Sequence, residues 1–190
     1  METVTSTVPV PGRAGARCRC VGCAGLVPDE PGPVHPYMRA SPGCWQLYGQ
    51  LSARVMTTGG APDAAWHHVD AYAVQHPDNA QTDRRQRQSV AVHLVSLCLL
   101  HEHSAPPHRA PAQRRRISER VLPRVGLPDW PYLPPPPDLG AVTAADVHAA
   151  DGAQQFAELL ALWTQSAWSA WAAHHDTVRG WAAATWPDRP

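Results

Sequence analysis

The chain has 190 residues, with 16 basic and 16 acidic side chains and a formal net charge of zero. Every cation is arginine, which excludes a P-loop lysine, a pyridoxal-phosphate Schiff base, a kinase lysine and a lysine nucleophile. The neutral balance argues against a dedicated nucleic-acid binder, and the length fits one domain with a buried core.

Residues 1–16 are polar and lack an apolar h-region, so the expectation is no signal peptide, a disordered leader over 1–17 and a bacterial cytoplasmic location. The longest apolar run, 90–100, is interrupted by His93 and Ser96 and is too short to span a bilayer, which predicts no membrane partner. One helical domain is expected over 18–186. It divides into a Cys/His segment (18–44), three helices (45–103), a Pro-rich connection with a short basic helix (104–142) and C-terminal helices (143–186).

Residues 18–44 carry four Cys, one His, five Pro and four Gly, so they have little to bury and need a staple. Trp45, Leu47, Tyr48, Leu51 and Val55 mark a first helix over 45–56, and Gly59, Gly60 and Pro62 break it. Asp63 is expected to cap a second helix running to His76, where Pro77 stops it. A third helix covers 84–103. A basic helix follows over 112–122. The stretch 127–137 has six prolines and reads as an extended surface strap anchored by Trp130 and Tyr132; its prolines 134–137 also suit a partner that reads polyproline II. Thr143 and Asp146 have the spacing of a capping box. Asp151 is expected to cap the last and longest helix, 152–185, ended by Pro187. No alternating β-branched run is present. The fold class is mainly α: a helical bundle with an N-terminal loop-rich zinc knuckle and a Pro-rich connecting strap.

Five cysteines in a chain without an export signal point to metal or thiol chemistry, not a disulfide framework. Cys20 and Cys23 form a C-x2-C with Gly22 permitting the tight turn. His35 and Cys44 follow at spacings that can complete a tetrahedron, so Cys20, Cys23, His35 and Cys44 are the predicted structural zinc ligands, with Cys18 as a substitute. Plain reduced thiols and a redox C-x2-C are the alternatives, the second without the βαβ pattern that usually surrounds it.

Eleven histidines are many for this length. At about 100° per residue, Phe156, Leu160, Trp163, His174, Val178 and Trp181 share one stripe of the last helix, with His175 on its shoulder. Gln86, Ser89, His93 and Ser96 form a polar stripe on the third helix, facing either a shared pocket or solvent. In a bundle, His76, His93 and His174 or His175 can converge on a second divalent metal or a polar site, with Asp70 or Asp176 orienting them. Gln75 is a further orienting group, and Arg179 is a candidate for an anionic substrate group. The Arg clusters at 84–87 and 114–116 read as solvated helix faces.

Several segments together resemble an uncharacterised bacterial family common in actinomycetes, classed as a domain of unknown function. They are Cys20-Val-Gly-Cys23, Gly32-Pro-Val-His35-Pro-Tyr37, Ser41-Pro-Gly-Cys44-Trp45, Val69-Asp70-Ala-Tyr72-Ala-Val-Gln75-His76-Pro77, Ser89-Val-Ala-Val-His93-Leu94 and His174-His175-Asp-Thr-Val178-Arg179-Gly-Trp181. The resemblance implies that the Cys/His segment and the helical histidines belong to one module. The chain is similar, more weakly, to DinB-like helical bundles, which implies three histidines from separate helices on a catalytic metal. Their last pair is spaced H-x3-H, whereas His174 and His175 are adjacent and diverge by about 100° on a helix.

The function expected from these features is a small metal-dependent enzyme, hydrolase- or transferase-like, acting on a small molecule. Asp70, His76, His93, His174, His175 and Arg179 are its candidate catalytic residues. The alternative is a non-catalytic, zinc-stabilised binding or regulatory module.

Overall fold

The computed structural model describes residues 15–57, 63–78, 83–125, 130 and 132–185. Most of the expected leader, the break over 58–62, part of the Pro-rich stretch and the Pro187 stop lie outside the described residues.

The described chain begins as a hairpin, β1 (Arg17–Arg19) antiparallel to β2 (Leu26–Pro28), with Cys18 opposite Val27. Helix α1 (Pro42–Thr57) starts three residues earlier than the apolar pattern indicated. Pro42 opens it, a position where its missing N–H costs no intrahelical bond. Cys44, Leu47, Leu51 and Val55 recur at helical spacing and are buried.

The expected second helix is divided. A 3-10 turn, Asp63–His67, leads into α2 (His68–Val74), which stops before His76. Pro77 explains the stop, because the residue before a proline is driven out of helical geometry. Helix α3 (Arg84–His103) has the predicted bounds. Asp83 caps it by accepting the Arg85 N–H at 2.8 Å, and Ser104 ends it in the left-handed region at φ 49°. From Ser89 to Leu99 only His93 keeps appreciable exposure. A helix covered on nearly all sides runs through the core, and α3 indeed packs against α2, α6 and α7.

The basic segment forms α4 (Ala110–Arg116), a π-helical turn (Ile117–Val121) and a 3-10 turn (Leu122–Arg124). Trp130 is buried, and Leu133 and Leu139 pack against the core, so the described part of the Pro-rich strap lies on the bundle. Helix α5 (Ala144–His148) opens with the expected capping pair: the Asp146 carboxylate accepts the Thr143 N–H at 2.8 Å and its hydroxyl at 2.7 Å.

The last helix is not continuous over 152–185. Helix α6 (Gly152–Ala170) ends at Trp171, a 3-10 turn spans Ala172–His174, and α7 (His175–Thr185) follows. The buried Trp171 turns its indole back to donate to the Val74 carbonyl at 3.1 Å, an anchorage on α2 that a straight helix does not need. Asp151 precedes α6 but makes no side-chain cap; instead Gln155 accepts the Asp151 N–H at 2.6 Å.

Gln75, fully buried, ties three elements together. Its amide donates to the carbonyls of Leu139 (2.9 Å) and Val142 (2.8 Å), and its oxygen accepts the Trp163 indole N–H at 2.7 Å. Gln75→Leu leaves the buried Trp163 indole N–H and two half-buried carbonyls without their partner, and the expected cost is about 2–4 kcal/mol. Urea unfolding reads this as a lowered midpoint at unchanged slope; an unchanged midpoint contradicts the assignment.

Candidate functional site

Cys20 and Cys23 lie on the turn between β1 and β2. The turn is closed by Cys20 N–H donating to Gly25 O (2.8 Å) and Ala24 N–H donating to Cys20 O (3.1 Å). Gly22 is required by close approach: a Cβ there collides with the Arg39 carbonyl and lies 2.6 Å from His76 Cδ2. Gly43 is required for the same reason, against the Pro28 carbonyl. Cys44 comes from the first turn of α1 and His76 from the end of α2.

The donor atoms of Cys20, Cys23, Cys44 and His76 all lie within 4.8 Å of one another, and all four residues are buried. Cys20 Sγ is 3.6 Å and Cys44 Sγ 3.3 Å from His76 Nε2, and Cys23 Sγ is 3.9 Å from Cys44 Sγ. A tetrahedron with zinc–sulfur and zinc–nitrogen bonds of ordinary length has edges of about 3.8 Å (S···S) and about 3.6 Å (S···N). The four residues are therefore placed to bind a metal ion, and the donor set is consistent with zinc. His76 Nδ1–H donates to the Tyr72 carbonyl at 2.7 Å, which leaves Nε2 as the ligand nitrogen. Ser41 N–H points at Cys20 Sγ (3.5 Å) and the Tyr72 hydroxyl at Cys44 Sγ (3.8 Å), both able to stabilise thiolate charge.

The groups perturb one another. Hydrogen bonds from Cys23 and Cys44 pull the Cys20 thiol far below its ordinary range, while those to Cys20 and Cys23, with burial, push Cys44 up. Burial opposes charge on His76, but its thiol neighbours outweigh that and raise it to about 9. A divalent cation removes this competition, because each thiol can then lose its proton.

The fourth donor is His76, not His35. His35 instead sets its ring edge against Tyr37 (centroids 4.3 Å apart) and Trp45 (4.9 Å). Cys18 stays on β1 outside the cluster, and Cys98 lies in the α3 core, where burial pushes its thiol up to about 12.

A second polar constellation is built on Asp70, fully buried on α2. Its Oδ1 accepts His93 Nδ1–H at 2.6 Å. Its Oδ2 accepts His67 Nδ1–H at 2.8 Å, the Ser96 hydroxyl at 2.9 Å and an Arg114 N–H at 2.8 Å. Burial alone opposes the carboxylate charge, but these donors outweigh it and hold Asp70 well below the usual carboxylate range. His93 and Arg114, both mostly covered, reach outward to a pocket of about 470 Å³ between the start of α3 and the end of α4. Its walls also include Tyr37, Arg85, Ser89, Arg115 and Ser118.

A series of rings packs beside the cysteine cluster. Tyr72 lies 3.9 Å, centroid to centroid, from both His76 and Tyr48, and Tyr48 lies 5.8 Å from His68. Burial pushes the Tyr48 hydroxyl up to about 12.

The predicted catalytic set is thus dispersed. Asp70 and His93 meet; His76 belongs to the cysteine cluster. His174 Nε2–H donates to the Pro134 carbonyl (2.8 Å), holding the strap. His175 stacks on Trp168 at 3.7 Å and donates to its carbonyl at 3.0 Å. Arg179 is engaged by Glu102 (2.7 Å) and Asp176 (2.9 Å) at the surface. Among the described residues no second group of three metal-binding side chains assembles, so the helical histidines do not form the three-histidine ligand set of the DinB-like likeness. The break after α6 is the physical reason: it takes His174 off the stripe on which a continuous helix would carry it. Sequence reasoning names neither His67 nor Arg114 for this site; the polar stripe of Gln86, Ser89, His93 and Ser96 on α3 is the sequence signal that points to the network they join.

A family model described as "Family of unknown function (DUF5946)" matches residues 18–172, most of the chain and all of both constellations. No curated protein and no solved structure gives a match. Among the described residues no helix is long and apolar enough to cross a membrane.

Elemental analysis should find one zinc per chain. His76→Ala or Cys44→Ala should lose it, with a fall in Tm of about 10 °C or more, while His35→Ala keeps it; loss in His35→Ala would contradict the ligand set. The lowered Asp70 value stabilises the fold fully above its unfolded value of about 3.9, and that stabilisation is lost as pH falls through this range towards the folded value. Asp70→Asn should therefore flatten the acid limb of the stability–pH curve and cost about 3 kcal/mol or more at pH 7. Denaturant unfolding between pH 7 and 2 tests both.

Proposed function

We propose, from the premise that the chain belongs to the DUF5946 family, that it is a zinc-stapled helical enzyme acting on a small molecule by acid–base chemistry at the pocket beside His93. Four protein donors complete a tetrahedron at the cysteine cluster and leave no position for a water, so the ion's role there is folding. When bound, it draws the hairpin and α1 onto the end of α2 and thereby fixes the helix that carries Asp70.

The observation that carries this reading is the 2.6 Å bond from His93 Nδ1 to a fully buried Asp70, on a histidine that lines an open pocket. Asp70 Oδ1 holds His93 in the tautomer with Nδ1–H. Nε2 is then free on the pocket side to take a proton from a water or hydroxyl nucleophile and return it to the leaving group, as hydrolysis or group transfer requires. His67 and Ser96 keep the second carboxylate oxygen occupied. A non-catalytic binding module is the second reading. What favours it is that Arg114 and His67 share the same carboxylate, which weakens the support Asp70 gives His93.

The zinc-loaded protein, assayed on a panel of small esters, thioesters, amides and phosphoesters, should turn over one class. His93→Asn, whose amide can still donate to Asp70, should reduce that turnover by about 100-fold or more at unchanged zinc content and Tm. Nitrogen-15 NMR should find the neutral form of His93 with Nδ1 protonated and Nε2 free. An Nε2–H tautomer overturns the acid–base reading, and ligand binding without turnover favours the binding module.

A further inference from the structure

We infer that the pocket beside His93 takes a molecule bearing a phosphoryl group, an inference that rests on the proposed function only for placing the ligand next to His93. Three arginines, Arg85, Arg114 and Arg115, line the cavity, and among the described residues no carboxylate does. Asp70 lies behind the wall; it pairs with Arg114 and is already saturated by four donors, so it does not neutralise Arg85 or Arg115. Arg115 carries an exposed ion pair with Glu119 at 3.1 Å, a contact that costs little to exchange.

Arg114 is the part of the wall that is built. One N–H is fixed on the buried carboxylate at 2.8 Å and also reaches the Trp66 carbonyl at 3.2 Å, so the planar guanidinium is held in place before a ligand arrives. An arginine fixed on one edge presents its remaining donors at a set angle, the arrangement that suits a tetrahedral dianion. Ser89 and Ser118 add hydroxyl groups to the same walls, and Arg85 enters from the first turn of the long helix α3, whose N-terminal end carries positive dipole charge. The number of donors selects the class: Arg85, Arg114, Arg115 and the hydroxyls of Ser89 and Ser118 offer more N–H and O–H groups than the two oxygens of a carboxylate take up, and the three terminal oxygens of a phosphoryl group use more of them.

The basic groove lined by Arg116, Arg120 and Arg124 provides the control. Those arginines are exposed, and none is fixed on a buried acid. Titration calorimetry at low ionic strength, on zinc-loaded protein, should find binding of inorganic phosphate and of phenyl phosphate, with benzoate weaker by about tenfold. The double variant Arg85→Gln/Arg115→Gln, which leaves the Asp70 network intact, should weaken phosphate by about tenfold or more at unchanged Tm. Arg120→Gln/Arg124→Gln, with the same change in net charge, should shift it by about twofold or less. Absence of phosphate binding, equal weakening by both double variants, or benzoate binding as tightly as phenyl phosphate overturns the inference. Phosphate binding that persists in a protein without turnover leaves it standing and overturns the catalytic reading instead.

Discussion

The ring of His76 is the contact on which the two parts of this protein depend. One nitrogen is tied to the carbonyl of Tyr72 on α2, four residues earlier, and the other faces the sulfur atoms of Cys20 and Cys44. The segment before α1 has little apolar surface of its own; Val27 and Ala40 are the aliphatic side chains it buries. Hydrophobic burial cannot hold such a segment in one place, and a metal cluster can, because ligand binding is folding free energy. Three of the four donors come from the segment and its first helix. The fourth comes from the bundle, so binding an ion attaches the hairpin to α2 as well as ordering it.

The same short helix carries Asp70. A charge with no exposure persists only if donors replace the water it has lost, and here four do so from three other stretches of chain. The consequence reaches the surface. Because Asp70 must be satisfied, His93 and Arg114 are held in fixed orientations at the edge of the pocket, and their fixed donors point inward while the remainder face the cavity. A carboxylate that stabilises the core thus positions the two groups to which the proposed chemistry is assigned. The rings of His76, Tyr72, Tyr48 and His68 pack in series beside the metal cluster.

The bundle was legible because local rules decide it. Trp45, Leu47, Tyr48, Leu51 and Val55 mark α1 by their spacing; the apolar run over 90–100 marks α3; Thr143 and Asp146 announce α5. Three of the four metal ligands were legible too, since a C-x2-C and a later cysteine in a proline- and glycine-rich stretch have few other uses. The break after α6 was not, because Ala170 to His175 contains no proline or glycine. It arises where Trp171 finds the Val74 carbonyl, a partner 97 residues away.

By itself, then, the sequence determined a mainly helical chain with a cysteine-bearing staple at one end and a polar stripe on its central helix, all of them consequences of spacing within a few turns of chain. Tertiary structure decided which histidine completes the cluster and which residues surround Asp70. His35 is nearer to the cysteines in sequence, but aromatic contacts with Tyr37 and Trp45 hold it, while the fold brings His76 to them from 32 residues beyond Cys44. Arg114 meets Asp70 across 44 residues. Such pairings are set by the packing of α2, α3 and α4 on one another. Donor chemistry can be read from residue type, but the identity of the partner depends on distances that only the folded chain defines.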